Sequence, residues 1–86
     1  MAVVGRRRPD GTPVYELGPG DYQLYKGELW AVCPNGAGPI CVPTSRWGVE
    51  WHGDGTATVD GSINVHPAPD SVGWHGFLER GVWRDA

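Results

Sequence analysis

At 86 residues, with 7 Lys+Arg against 10 Asp+Glu, the chain reads as one small domain of net charge −3, a balance without the basic footprint of a general nucleic-acid coat. No stretch approaches the roughly 18 apolar residues of a membrane span, and no apolar h-region follows the N-terminus, so the expectation is no membrane partner, no secretory leader and a reducing cytoplasm. Fourteen Gly and eight Pro approach a low-complexity composition, but five Trp, three Tyr and one Phe argue for a folded, turn-rich, aromatic-pinned β domain.

In chain order, residues 1–13 form an N-terminal arm and residues 14–86 a single small β domain. Arg6-Arg7-Arg8 hold three of the seven positive charges, while Pro9, Gly11 and Pro13 interrupt any period. The arm is expected to be irregular: a solvated mobile terminus, an anion- or partner-binding arm, or a segment swapped into a neighbour. Residues 14–17 read as a short strand broken by Gly18-Pro19-Gly20-Asp21. Residues 22–25 and 28–33 flank Lys26-Gly27 as a tight hairpin. In its second arm Leu29, Ala31 and Cys33 share one face and Trp30 and Val32 the other, the two-sided apolarity of a central strand. Pro34-Asn35-Gly36-Ala37-Gly38-Pro39 is a loop, and Ile40-Cys41-Val42 is a short buried strand ended by Pro43-Thr44-Ser45.

Residues 47–52 alternate, with Trp47, Val49 and Trp51 on one face and Gly48, Glu50 and His52 on the other. After Gly53-Asp54-Gly55 the chain returns with Ala57 and Val59 inward, turns at Asp60-Gly61, and continues with Ile63 and Val65 inward, a three-strand meander. Beyond the loop Pro67-Ala68-Pro69-Asp70-Ser71, residues 73–78 and 82–84 flank Glu79-Arg80-Gly81, which fits a three-residue loop with a G1 bulge. The predicted architecture is all-β: six to eight short antiparallel strands, a meander curled into a small barrel or sandwich.

Catalytic and metal signatures are weak. Cys33, Cys41, His52, His66 and His75 are zinc-ligand types, with Cys33, Cys41 and His75 the foremost candidates, but no Cys-x-x-Cys or His-x₃₋₅-His pair occurs. Free thiols and a Cys33–Cys41 bridge across a hairpin are both open. Ser45, Ser62 and Ser71 lack a nucleophile-elbow signature, Asp54 and Asp60 precede Gly as turn residues do, and so small a β domain has little room for a catalytic pocket. The expectation is no enzyme and no cofactor. Exposed aromatics could stack bases, but residues 14–86 carry only Lys26, Arg46, Arg80 and Arg84 against nine acids, which argues against nucleic acid as a partner.

The most distinctive segment is Gly73-Trp74-His75-Gly76-Phe77-Leu78-Glu79-Arg80-Gly81-Val82-Trp83-Arg84. On one reading Trp74 and Trp83 fill the core and His75 lies near the surface. On the other an aromatic cluster is exposed beside arginines, the composition of interface hot spots. Trp74, His75, Phe77, Arg80, Trp83 and Arg84 are then the candidate binding residues. Self-association of such an edge fits as well.

Trp30 leading into Cys33-Pro34-Asn35-Gly36, then Asp54-Gly55-Thr56, Ser62-Ile63 and the run from Trp74 to Trp83 resemble small proteins of actinobacteriophages and actinobacteria that end in Trp-His-Gly-Phe/Tyr-Leu-Glu-Arg-Gly-Val-Trp. The resemblance covers about residues 28–84. It extends to a broader domain family of unknown function whose members carry extra cysteines suggestive of metal binding. This chain keeps Cys33 and His75 but lacks the paired cysteines, which implies a depleted metal site. The resemblance implies a non-enzymatic binding protein, a phage accessory protein engaging a host or defence factor in the host cytoplasm. The alternatives are a sponge for a small anionic ligand such as a signalling nucleotide at an oligomer interface, a structural zinc-type domain, or a minor virion component.

Overall fold

Gly and Pro punctuate the chain every few residues, so the regular segments are short. The computed structural model describes residues 2–43, 48–70 and 72–86. Trp47, the strand end at Thr44 and Ser45, and Ser71 lie outside the described residues. The strands are β1 (Ala2–Val4), β2 (Arg6–Arg7), β3 (Asp21–Tyr25), β4 (Glu28–Val32), β5 (Pro39–Pro43), β6 (Val49–Trp51), β7 (Ala57–Val59), β8 (Ile63–Val65), β9 (Trp74–Glu79) and β10 (Val82–Asp85). They form a first sheet in the order β1-β10-β9-β8, a second in the order β2-β3-β4-β5, and the hairpin β6-β7. Tyr22, Leu29, Ala31, Cys33 and Val42 of the second sheet meet Ala57 and Val59 of the hairpin and Ile63, Trp74, Leu78 and Trp83 of the first in one shared core. No helix among the described residues is long and apolar enough to cross a membrane.

The all-β expectation holds, in an open arrangement of sheets rather than a closed barrel. The described strands number ten instead of six to eight, because the N-terminal arm is not irregular. β1 pairs antiparallel with β10, and β2 pairs parallel with β3, the one departure from antiparallel order among the described strands. A single segment thus joins both four-stranded sheets, crossing between them at Gly5. The crossing is so close that a Cβ there would lie 2.8 Å from Gly20 O and from Trp83 Nε1 and 2.9 Å from Gly81 O. The Gly5 N–H donates to Gly81 O at 2.7 Å and the Arg8 N–H to Tyr22 O at 2.8 Å, so the arm's polar backbone is satisfied by the sheets it bridges.

Three other expectations are corrected. Residues 14–16 form a 3₁₀ turn, not a strand: Pro13, its φ held at −56°, opens a turn in which Glu16 N–H bonds Pro13 O and Leu17 N–H bonds Val14 O. β8 leaves the expected meander to pair with β9. The β9–β10 turn has two central residues, Arg80 (φ 46°) and Gly81 (φ 76°), with Glu79 still paired to Val82. Positive φ at both positions is the primed turn whose twist matches its strands, the form also taken at Lys26 and Gly27.

Asp21 fastens the arm from the sheet side. Its buried carboxylate Oδ2 accepts from Gly18 N–H at 2.9 Å, Arg6 Nη2 at 3.2 Å and Arg8 Nη1 at 3.4 Å. Burial alone pushes its pKa up; the Arg6 hydrogen bond, the Gly18 N–H and the charges of Arg6 and Arg8 outweigh it and hold the group below its ordinary value. A depressed carboxyl stabilises the fold above its unfolded pKa, about 3.9, and that contribution is lost as pH falls through the folded value. Asp21→Asn is expected to cost about 1–2 kcal/mol at neutral pH, with the urea midpoints of the two proteins converging in strong acid. An equal gap at both pH values would contradict this account of Asp21.

Candidate binding surface

Strict alternation in β9 sorts the C-terminal run by face. Trp74, Gly76 and Leu78 point inward and His75, Phe77 and Glu79 outward. In β10 Trp83 points inward and Arg84 outward. The two indoles meet edge to face, centroids 5.5 Å apart at 80°. Each buried N–H has an acceptor: Trp74 Nε1 donates to Asp85 Oδ1 and Trp83 Nε1 to Gly20 O, both at 2.9 Å. Trp74 and Trp83 are therefore core residues, as the first of the two readings has it.

The other candidates share the outer side. Across the ladders Arg84 stands between Phe77 and Ala2, Val82 between Glu79 and Val4, and His75 opposite Asn64. Val4 is 82% exposed and Phe77 36%, so the outer side of the first sheet carries apolar side chains with charge beside them, and the β6–β7 hairpin borders it where Phe77 and Glu79 line a cavity with Val49 and Val59. Val4 and Val82 escaped the sequence reading, although the pair Val3-Val4 is itself a strand signal. Arg80 sits at the tip of the hairpin. Its backbone N–H donates to Thr58 Oγ1 at 2.9 Å, and the same hydroxyl lies 2.7 Å from His52 Nε2, which ties the tip to β7. A cleft of about 400 Å³ opens there. Glu50 and Glu79 line it together with Arg80 and Arg84, so a free anion entering it meets repulsion as well as attraction.

The arginine arm is engaged within the fold. Arg6 and Arg8 reach Asp21, while Arg7 stacks 4.3 Å over the Trp51 ring and bonds Asp10 and Gly55 O.

The metal candidates do not converge. Cys33 is fully buried and Cys41 exposed, and both thiols are free. Trp30, not an inward residue, is the ladder partner of Cys41, so the two cysteines face opposite sides and the alternative of a bridge fails. Burial raises both thiol pKa values, helped at Cys41 by Glu28. His75 and His66 are exposed, and His52 lies beside Thr58. No cluster of three potential metal ligands forms among the described residues.

Comparison of the chain with family models, with curated proteins and with solved structures finds no match in any of the three.

Proposed function

We propose that the protein is a non-enzymatic binding module that docks a protein partner on the outer face of the β1-β10-β9-β8 sheet. One observation carries the reading: Phe77 is turned outward beside its cross-strand partner Arg84, while both tryptophans of the same hairpin are turned in. Aromatic residues and Arg are enriched in protein interfaces, and Val4 and Val82 extend the apolar strip across the sheet. His75, Glu79 and Arg80 supply a polar rim. The resemblance carried by the C-terminal motif supports a phage accessory protein whose partner is a host or defence factor in the host cytoplasm.

Phe77→Asp places a charge on this face. Phe77 also lines a cavity with Val49 and Val59, so the change is expected to cost about 1–2 kcal/mol and to leave the chain folded, checked by its thermal transition. Recovery of the partner on the tagged chain from its host cells should fall about tenfold or more, a loss of about 1.4 kcal/mol. Tyr15→Asp, at an 87% exposed position in the 3₁₀ turn, should retain the partner. Equal recovery with Phe77→Asp and wild type would overturn the assignment.

A further inference from the structure

Among the described residues each four-stranded sheet ends on a strand beside the same cavity, β5 in the second sheet and β8 in the first. The cavity measures about 540 Å³; Ile40, Cys41 and Val42 line one side, residues 62–66 another, and Val59 completes it. Alternate residues of a strand belong to opposite faces, so consecutive residues from both strands mean that the cavity runs along their edges. The ladders fix which backbone groups point there. The two-residue turn at Arg80 and Gly81 closes on Glu79 and Val82, a hydrogen-bonded pair, and the Ala86 N–H bond to His75 O at 3.0 Å keeps that phase. Gly76 and Trp74 therefore bond towards β8, where Ile63 and Val65 face them. Asn64 turns its N–H and C=O to the open edge, flanked by Ser62 and His66. The same phase, set by the Lys26-Gly27 turn and by the Cys33 N–H bond to Gly38 O, bonds Ile40 and Val42 to Ala31 and Leu29. It leaves Pro39, Cys41 and Pro43 on the open side of β5.

The two edges are not alike. Two prolines leave Cys41 as the one N–H donor on the open side of β5, a common guard against strand addition. β8 carries neither Pro nor Lys, Arg, Asp or Glu, and no hydrogen bond joins the Asn64 backbone to another described residue. An open N–H and C=O beside apolar walls are matched by the main chain of an extended peptide, which supplies both groups at strand spacing. β5 stands across the cavity, so the folded edge of a second copy, which brings its own neighbouring strands, would meet β5 where a single extended chain would not. The lining holds no Lys, Arg, Asp or Glu, which selects against a charged segment. We infer that β8 accepts a short, uncharged, extended segment of a partner protein as an added antiparallel strand. The residue of that segment opposite Asn64 exchanges both backbone hydrogen bonds with it. The residues on either side turn their side chains inward, as Ile63 and Val65 do, into the cavity that Val42 and Val59 line. The three residues of β8 keep the addition short. This edge is a different surface from the outer face of the sheet, and the inference does not rest on the docking proposed there.

The test uses acetyl-Thr-Val-Thr-Val-Thr-amide as probe on the full chain. Two readouts follow it: the Asn64 amide in ¹H–¹⁵N spectra, and the rate at which iodoacetamide alkylates Cys41, which is exposed and lines the cavity, while Cys33 is fully buried. The expected result is a saturable downfield shift of the Asn64 N–H and slowed alkylation of Cys41 over the same concentration range. N-methylation of the central threonine removes the N–H that bonds Asn64 O and should weaken binding about tenfold or more. N-methylation of a valine, whose N–H points away from β8, should weaken it less. Asn64→Pro removes the edge donor without touching the β8–β9 ladder, so it should keep a dispersed spectrum and lose peptide protection of Cys41 about tenfold or more. The methylated pair tests the same bond on the unaltered chain. No saturable Asn64 shift at millimolar peptide, equal binding of the two methylated peptides, or an Asn64 amide already protected in a dimer of this chain would each overturn the inference.

Discussion

Trp83→Ala is expected to remove about 4–6 kcal/mol, a large share of the stability that holds the fold. Trp83 is fully buried, packs edge to face on Trp74, lies under the crossing of the arm at Gly5 and donates its N–H to Gly20 O. Truncating a buried Trp costs about 3–5 kcal/mol. The Gly20 carbonyl loses its side-chain donor as well, adding about 1 kcal/mol. A chain of this length has a total stability of only about 4–13 kcal/mol at the usual 0.05–0.15 kcal/mol per residue. The loss is not confined to one sheet, because Trp83 stands where β1, β2, β3 and β10 meet. Trp83→Phe keeps an aromatic ring and gives up the hydrogen bond, so it should fall between wild type and Ala. Circular dichroism with urea titration checks the order. A Trp83→Ala chain with a wild-type transition would contradict the core assignment of this residue.

Gly76→Ala should be nearly as damaging, for the opposite reason. Gly76 points inward between its ladder partners Ile63 and Asp85, and the Trp74 ring lies over it. An added Cβ would stand 2.1 Å from Arg84 O, 2.5 Å from Trp74 Cζ2 and 2.7 Å from Trp74 Cη2. Either β9 and β10 part or the indole leaves its site and its bond to Asp85. Overpacking typically costs about 1–3 kcal/mol, and with backbone and ring both in the way the upper end, about 3 kcal/mol, is expected. Gly53→Ala is the matched control, since a Cβ there meets nothing within 4 Å and the change should stay within about 0.5 kcal/mol. Urea midpoints of the two variants should differ accordingly. Indistinguishable midpoints would show that the strand pair yields freely at Gly76.

Local patterns were legible in the sequence and long-range pairings were not. The Lys26-Gly27 hairpin, the inward set Leu29, Ala31 and Cys33, and the inward Ala57, Val59 and Ile63 follow from alternation and turn chemistry, which are properties of neighbouring residues. The arm was misread because its partners lie far along the chain: Ala2 faces Arg84 and Val4 faces Val82. Three residues of strand carry little signal until the sheet that receives them exists. The same remoteness hid Asp21 as the partner of Arg6 and Arg8, which read as free charge. In the C-terminal run composition pointed to six candidate binding residues, and strand period then divides them. His75, Phe77 and Arg84 share the outer face and Arg80 caps it, whereas Trp74 and Trp83 are core. The unmatched Gln23 Oε1 and Trp30 Nε1 had no sequence signature, since such atoms become visible only when every other partner is placed.

The most direct test of the binding face is site-specific photo-crosslinking in the cells from which the chain comes, with p-benzoylphenylalanine in place of Val4. Val4 is 82% exposed and belongs to the proposed strip, yet lies in a different strand from Phe77. A discrete adduct with a different protein is predicted at Val4, absent when Phe77→Asp is added and absent when the crosslinker replaces Tyr15. No adduct at Val4, an adduct only between two copies of this chain, or one that persists with Phe77→Asp would contradict the docking face.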